Sequence, residues 1–331
     1  GFYTGANEYL YYGATPFTNA LFGVKYVYIR EGDFANADMG LYDTEDNVSV
    51  YKNLYNLPIG YMVNREILDF ETLDNGPFTV QNELSGVTTG VEPIFSSIFE
   101  DMQTTTYGTN VEVTLKDEFN ASYKSANGSA RADFIYTIPH DMDLYINCSG
   151  SNVHKIALLI DGNEVAFDRY HGQLFRVGEV KKGQVVDIQF VLNEGDDLSG
   201  TLYCYPMEFL DEQFGQSYSI LSNQSMHMTK FSDTKIEGTI TAMKDGVFMT
   251  SIPYDEGWTV YANGEKVETC RILESFLGVE LPKGDYTIKM VYQCPGLMKG
   301  LITTLFGILC FFLICKVEKR MRKQTQNIIK G

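Results

Sequence analysis

Hydrophobic positions along most of this chain recur with a period of two. Leu21–Arg30 (LFGVKYVYIR) is rich in β-branched and aromatic residues, and Asn47–Asn53 (NVSVYKN) alternates in a way that suits pairing with it. Val111–Lys116, Arg131–Ile138 and Asp143–Cys148 continue the strand pattern. Two stretches break it. Gly76–Thr89 (GPFTVQNELSGVTT) reads as a helix, with Asp74 or Asn75 as candidate cap and Pro77 in the first turn. Glu208–Asn223 places Phe209, Leu210, Phe214, Tyr218 and Leu221 near helical spacing and predicts a second helix.

A longer pattern lies over the strands. Lys155–Phe167 followed by Gln173–Leu192 resembles Gly257–Thr269 followed by Ser275–Tyr292. Asp161-Gly162-Asn163 aligns with Asn263-Gly264-Glu265, and Lys182-Gly183 with Lys283-Gly284, at offsets of 102 and 101 residues. Asp-Gly and Asn-Gly supply the positive φ of a type I′ hairpin turn. The expected fold is therefore mainly β. It consists of two related antiparallel β-sandwich modules, jelly-roll-like, with a few short helices. The divisions expected are a strand-rich segment over 1–75, sandwich modules over 76–207 and 208–295, a transmembrane helix over 296–317, and a basic tail over 318–331.

The helix near the end has a different pattern. Gly300–Cys315 (GLITTLFGILCFFLIC) is sixteen residues without a charge. At 1.5 Å per residue it covers ~24 Å, short of the ~30 Å hydrocarbon core, and extension to Gly296–Val317 reaches the required length. Leu301, Leu305, Phe311 and Phe312 would face lipid, while Lys299 and Lys316 would snorkel to the two interfaces. Apolar residues surround this helix instead of forming one stripe.

Charge adds direction. The 331 residues carry −17, but the part from Lys316 onward carries +5, leaving −22 on the first 315 residues. By the positive-inside rule the tail is cytoplasmic and the bulk extracytoplasmic, in a cell membrane. So acidic a body is a poor ligand for nucleic acid, which needs a basic surface. The start, GFYTGANEYLYYGATPF, shows no export signal. Because ~295 residues must cross the membrane, the expectation is that the chain continues an earlier, membrane-inserted part of a longer protein.

Catalytic chemistry is not legible. GxSxG, a P-loop and a strand-linked GxGxxG are missing from the sequence, and His140, His154, His171 and His227 lack HExxH spacing. Six cysteines form no CxxC pair, so no zinc site, metal or other cofactor is expected. Cys148, Cys204, Cys270 and Cys294 can pair outside the cytoplasm, but spacing does not fix how. The one tryptophan, Trp258, is flanked by Tyr254 and Tyr261, an aromatic group able to stack on a sugar ring. A single Trp more commonly fills a sandwich core, and both readings stay open.

Ser251–Thr269 (SIPYDEGWTVYANGEKVET) runs through Phe276–Tyr292 into Pro295-Gly296-Leu297 and an apolar helix. Ala20–Arg30, Val48–Val63 and Pro77–Leu84 precede it in order. In these stretches the chain resembles the C-terminal portion of the bacterial YfhO family of multi-pass membrane proteins. The resemblance implies a GT-C-type glycosyltransferase that uses a polyprenyl-phosphate sugar to modify lipoteichoic or related cell-wall polymers. It implies a catalytic acid in an earlier helical block, which would be this chain's partner, with the bilayer and the envelope glycan polymer as further partners. No catalytic residue carries over. Pro253, Tyr254, Gly257, Trp258, Asn263, Gly264, Pro282 and Gly284 match as turn, hairpin and core positions. The expected role is a non-catalytic ectodomain, with a tethered carbohydrate-binding module or a structural ectodomain as alternatives.

Overall fold

A computed structural model describes residues 2–5, 8–10, 14–30, 38–71, 76–99, 103–125, 129–168, 174–195 and 197–329. Strands dominate, in antiparallel sheets, as the period-two pattern requires. The first sandwich faces a sheet ordered Leu174–Val180, Met142–Gly150, Ser199–Phe209, Asn120–Ser125, Val111–Leu115 against one ordered Asn163–Asp168, Val153–Ile160, Val185–Leu192, Arg131–Thr137, Gln103–Thr109. Nested pairing of the outermost with the last strand, inward to the Val153–Asp168 hairpin, is a jelly roll. Alternate residues of both sheets, among them Phe134, Ile146, Ile188, Phe190 and Leu202, fill the space between. Cys148 and Cys204 stand opposite each other in this core as free, fully buried thiols.

The second sandwich repeats the plan in part. One sheet is ordered His227–Ser232, Lys235–Ala242, Gly284–Tyr292, Trp258–Ala262, Glu265–Val267; the other, Cys270–Ile272, Phe276–Leu281, Gly246–Pro253, Gly60–Val63. Its core holds Ile240, Phe248, Val260, Val279 and Ile288. The internal repeat extends to atomic detail. Asp161 and Asn263 both take left-handed φ (50° and 52°) before a positive-φ glycine. Asp161 Oδ1 accepts from Val185 N at 2.9 Å, and Asn263 Oδ1 from Thr287 N at 2.8 Å. Asp141 Oδ1 accepts from Lys182 N at 2.9 Å, and Asp245 Oδ1 from Lys283 N at 2.8 Å.

The two sandwiches also differ in what lies beside one corresponding strand. In the first, Met142–Gly150 pairs with the module's own last strand, Ser199–Phe209. In the second, the corresponding strand Gly246–Pro253 pairs with Gly60–Val63, which precedes both modules in the chain. All four residues of Gly60–Val63 are buried. Its other edge bonds to the segment before the second sandwich: Met62 N donates to Gln224 O and Met226 N to Gly60 O.

A third core joins the sandwiches. Helices α1 (Pro16–Leu21), α2 (Pro77–Thr89) and α3 (Asp211–Asn223) contribute Phe17, Phe78, Leu84, Phe214 and Leu221. Phe78, Phe95, Phe209 and Phe214 form a chain of ring contacts with centroids 4.9 to 5.4 Å apart. Helix α2 starts at Pro77 with Gly76 as cap; the candidate caps Asp74 and Asn75 lie outside the described residues. It stops at Gly90, whose φ of 84° suits glycine. Helix α3 begins three residues later than its apolar spacing suggested. Glu208 and Phe209 instead end a strand that pairs with both Met142–Gly150 and Phe95–Ser97, and ladder bonds on two sides outweigh helical spacing. Likewise Leu21 belongs to α1, and the strand predicted from it starts only at Tyr26, after Gly23 turns the chain at φ 66°. It pairs with Val48–Asn53 as expected.

Candidate functional site

Helix α4 (Leu297–Ile329) leaves the second sandwich, and its apolar stretch is not buried against the rest of the described chain. Its apolar stretch Leu297–Met321 has a mean hydropathy of 2.2 and is long enough to cross a bilayer. Leu305, Phe311 and Phe312 are 58%, 63% and 65% exposed, a surface that water would not tolerate at this density. Leu301 lies on the same uncovered helix. Lys299 and Lys316 are exposed seventeen residues apart, or ~26 Å of helix, so their side chains bracket a hydrocarbon slab. Thr303 and Thr304 donate their hydroxyls to Lys299 O and Gly300 O at 2.9 Å, leaving no hydroxyl without an acceptor in the apolar stretch.

The three aromatic candidates do not form one platform. Strand alternation separates them: Trp258, Val260 and Ala262 face inward, while Thr259 and Tyr261 face outward. Trp258 is half-buried at the end of the sandwich, its ring 5.2 Å from Tyr292. Tyr254 packs on the same core edge, and the Arg271 guanidinium lies 4.7 Å over its ring. Of the three, Tyr261 is the one on the outer face.

There it belongs to a feature that the sequence pattern did not show. Strand register places Lys230, Glu237, Lys289, Tyr261 and Lys266 in one row across five strands. Tyr261 and Lys289 meet at 5.6 Å, and Glu237 accepts from Lys235 Nζ at 2.6 Å. That ion pair, with Lys230 and Lys289 nearby, holds the Glu237 carboxyl below its usual range. Of these, Glu237, Tyr261 and Lys289 line a shallow groove of about 490 Å³ together with Thr229 and Thr287. One aromatic face, threonine hydroxyls, a carboxylate and an ammonium group offer a sugar ring both stacking and hydrogen bonds. Period-two alternation could have shown that Tyr261 and Lys289 point outward; only pairing register shows that they are neighbours.

A second groove, of about 580 Å³, runs between α2 and residues 65–71. Glu66, Asp69, Glu71, Glu83 and Glu92 border it, so the local field repels an anionic polymer. A buried ion pair lies where the first sandwich meets the third core. Arg176 Nε sits 2.9 Å from the Asp143 carboxylate, with side chains 12% and 5% exposed. Nearby Asp38 is buried, accepts from Asn19 Nδ2 at 2.8 Å, and has a carboxyl that burial pushes above its usual range. Among the described residues no cluster of His, Cys, Asp and Glu is arranged to hold a metal ion.

Two β-sandwiches stitched through a shared helical core and carried on one uncovered, bilayer-length helix define a membrane-associated, mainly β protein. Residues 1–304 match the family described as bacterial membrane protein YfhO, and the chain belongs to that family. No curated protein matches its sequence. Among solved structures it is similar to a cycloisomaltooligosaccharide glucanotransferase from Paenibacillus sp., at 9% identity and a TM-score of 0.24, over 58% of this chain and 45% of that one. It is similar to the arabinofuranosyltransferase AftD from Mycobacteria at 14% identity and a TM-score of 0.20, over 51% of this chain and 14% of that one. A β-glucuronidase from Ruminococcus gnavus aligns at 12% identity and a TM-score of 0.17, over 50% and 30%. The chain thus spans less than half of each of these proteins, and scores this low carry no structural or functional argument.

Proposed function

We propose that this chain is the non-catalytic extracytoplasmic portion of a membrane glycosyltransferase that modifies a cell-wall or lipoteichoic-type polymer from a polyprenyl-phosphate sugar. Its body stands outside the cell, α4 crosses the membrane and the basic tail is cytoplasmic. One observation carries the topology. The apolar surface of α4 is uncovered all round, and basic residues from Lys316 onward follow it. Membership of the YfhO family supports the transferase setting. The acidic groove and the −22 body favour an acceptor, or acceptor segment, that is neutral or cationic over a bare polyphosphate.

Sidedness is tested with Cys294, exposed just ahead of α4. In intact cells a membrane-impermeant maleimide should label it in a variant lacking the other cysteines, and should fail to label Arg322→Cys in a cysteine-free background. The reverse pattern refutes the orientation. Turnover of a polyprenyl-phosphate sugar by the chain alone would refute the non-catalytic role.

The groove at Tyr261 favours a second reading, a carbohydrate-binding face on the second sandwich. Binding on a glycan array should be lost in Tyr261→Ala and kept in Tyr261→Phe, with unchanged circular dichroism. Equal binding by both variants removes this reading.

A further inference from the structure

The end of the second sandwich from which α4 departs is tied together by backbone bonds. Tyr254 N donates to Ser275 O at 2.8 Å, and Gln293 N to Gly257 O at 2.9 Å. The turn over Tyr254–Gly257 is thereby locked both to the hairpin tip at Ser275 and to the strand end that leads into the helix. Trp258 packs on Tyr292 beside it. At the hairpin tip Phe276 stacks on Phe22, with ring centroids 5.5 Å apart, and Phe22 is 46% exposed. One end-face thus carries Phe22, Tyr254, Trp258, Phe276 and Tyr292, with the Arg271 guanidinium over Tyr254.

From Gln293 to Leu297 is four residues, at most ~14 Å of chain even when extended. Gln293, at one edge of this end-face, is therefore held within that reach of the start of α4. We infer that it is a membrane-docking surface, seated in the headgroup layer of the bilayer that α4 spans; the inference rests on that span. Three properties fit this occupant. Trp and Tyr prefer the interface, where a ring meets apolar chains while its polar group stays wet. The segments that carry these rings (22–25, 254–258, 271–276 and 292–299) have balanced charge, Asp255, Glu256 and Glu274 against Lys25, Arg271 and Lys299, although the body as a whole is strongly acidic. The covalent tie to α4 also brings the face to the bilayer without a separate binding step. Docking would fix how the sandwiches stand on the membrane, and so hold the Tyr261 groove at a set height above it.

Trp258 is the chain's only tryptophan and thus its own reporter. The full chain is reconstituted into phosphatidylcholine nanodiscs carrying a spin label either near the headgroup end of the acyl chain or at its terminus. Particles that retain the protein establish independently that α4 is inserted. The expected result is about a twofold loss of Trp258 emission with the shallow label and little change with the deep one, as an interfacial ring requires. Phe22→Trp in a Trp258→Phe background should behave alike, while Tyr107→Trp in that background, a probe on the first sandwich, should be unquenched. Retained protein with Trp258 unquenched by either label overturns the docking surface and leaves the anchor standing. Equal quenching at position 107 overturns it as well. Failure of the protein to stay with the nanodisc overturns the anchor and the inference together.

Discussion

Without Gly60–Val63 the second sandwich should not fold, although that module's other strands are all intact. Its inner sheet depends on Gly60–Val63, where Tyr61 is 0% exposed and Met62 and Val63 are each 3% exposed. Burying one such side chain contributes ~1.5–3 kcal/mol, so the three together contribute roughly 5–9 kcal/mol. A whole domain is typically stable by ~5–15 kcal/mol, so loss of the strand removes most of the margin. It also strips partners from Gln224 O and Met226 N. The assay is urea denaturation of a soluble fragment, 208–295, followed by Trp258 fluorescence and far-ultraviolet circular dichroism. The fragment should show no cooperative transition, and a synthetic peptide spanning 54–69 should restore one by strand addition. A point variant serves as a second arm. A Cβ at Gly60 would lie 2.5 Å from the fully buried Phe248 ring, so Gly60→Ala in the full chain should cost ~1–3 kcal/mol. A fragment that unfolds cooperatively and ignores the peptide would refute the reasoning.

Further tests address the polar interior. Arg176→Met leaves the Asp143 carboxylate buried without its cation and should cost ~3–5 kcal/mol in chemical denaturation, with partial recovery on adding Asp143→Asn; no recovery would show that packing, not charge, sets the loss. Burial raises the Asp38 pKa, so the folded state takes up a proton before the unfolded chain does, and this site's contribution to stability grows as pH falls through its raised pKa, complete below the ordinary carboxyl value. Asp38→Asn, relative to the parent, should therefore look best at neutral pH and lose that advantage toward pH ~4 in melting curves; a pH-independent difference counts against the account. Cys148 and Cys204 are fully buried, and burial pushes the Cys148 thiol up, so both should resist maleimide until the protein unfolds while Cys294 reacts at once, as mass spectrometry would show.

Local patterns in this chain speak for local structure. The alternation in Arg131–Ile138 returned as the strand Arg131–Thr137, and Pro77 and Gly90 bound α2 where Pro and Gly are expected to. The paired Asp-Gly and Asn-Gly turns returned as matching left-handed turns with matching side-chain caps, because backbone conformation at such sites depends on a few adjacent residues. The uncharged run after Lys299 returned as a helix not buried against the rest of the described chain, since a stretch apolar on every side has no polar face to give to water.

Pairing between distant strands is a different kind of information. Val48–Val63 was legible as family-like sequence, yet nothing in Gly60-Tyr61-Met62-Val63 says that it completes a sandwich whose other strands begin more than 160 residues later. The same holds for Tyr261, which shares a groove with Lys289 and Glu237 from strands after and before it, and for the Asp143–Arg176 pair. Spacing also grouped Trp258 with Tyr261, which the pleat sends to opposite faces. The sequence alone thus determined the elements, their turns, the repeat and the membrane helix, all of which depend on contacts within a few residues. Only the tertiary structure decided which strand closes the second sandwich and which side chains share a groove, because register is set by burial summed over a whole sheet face and not by any one segment of it.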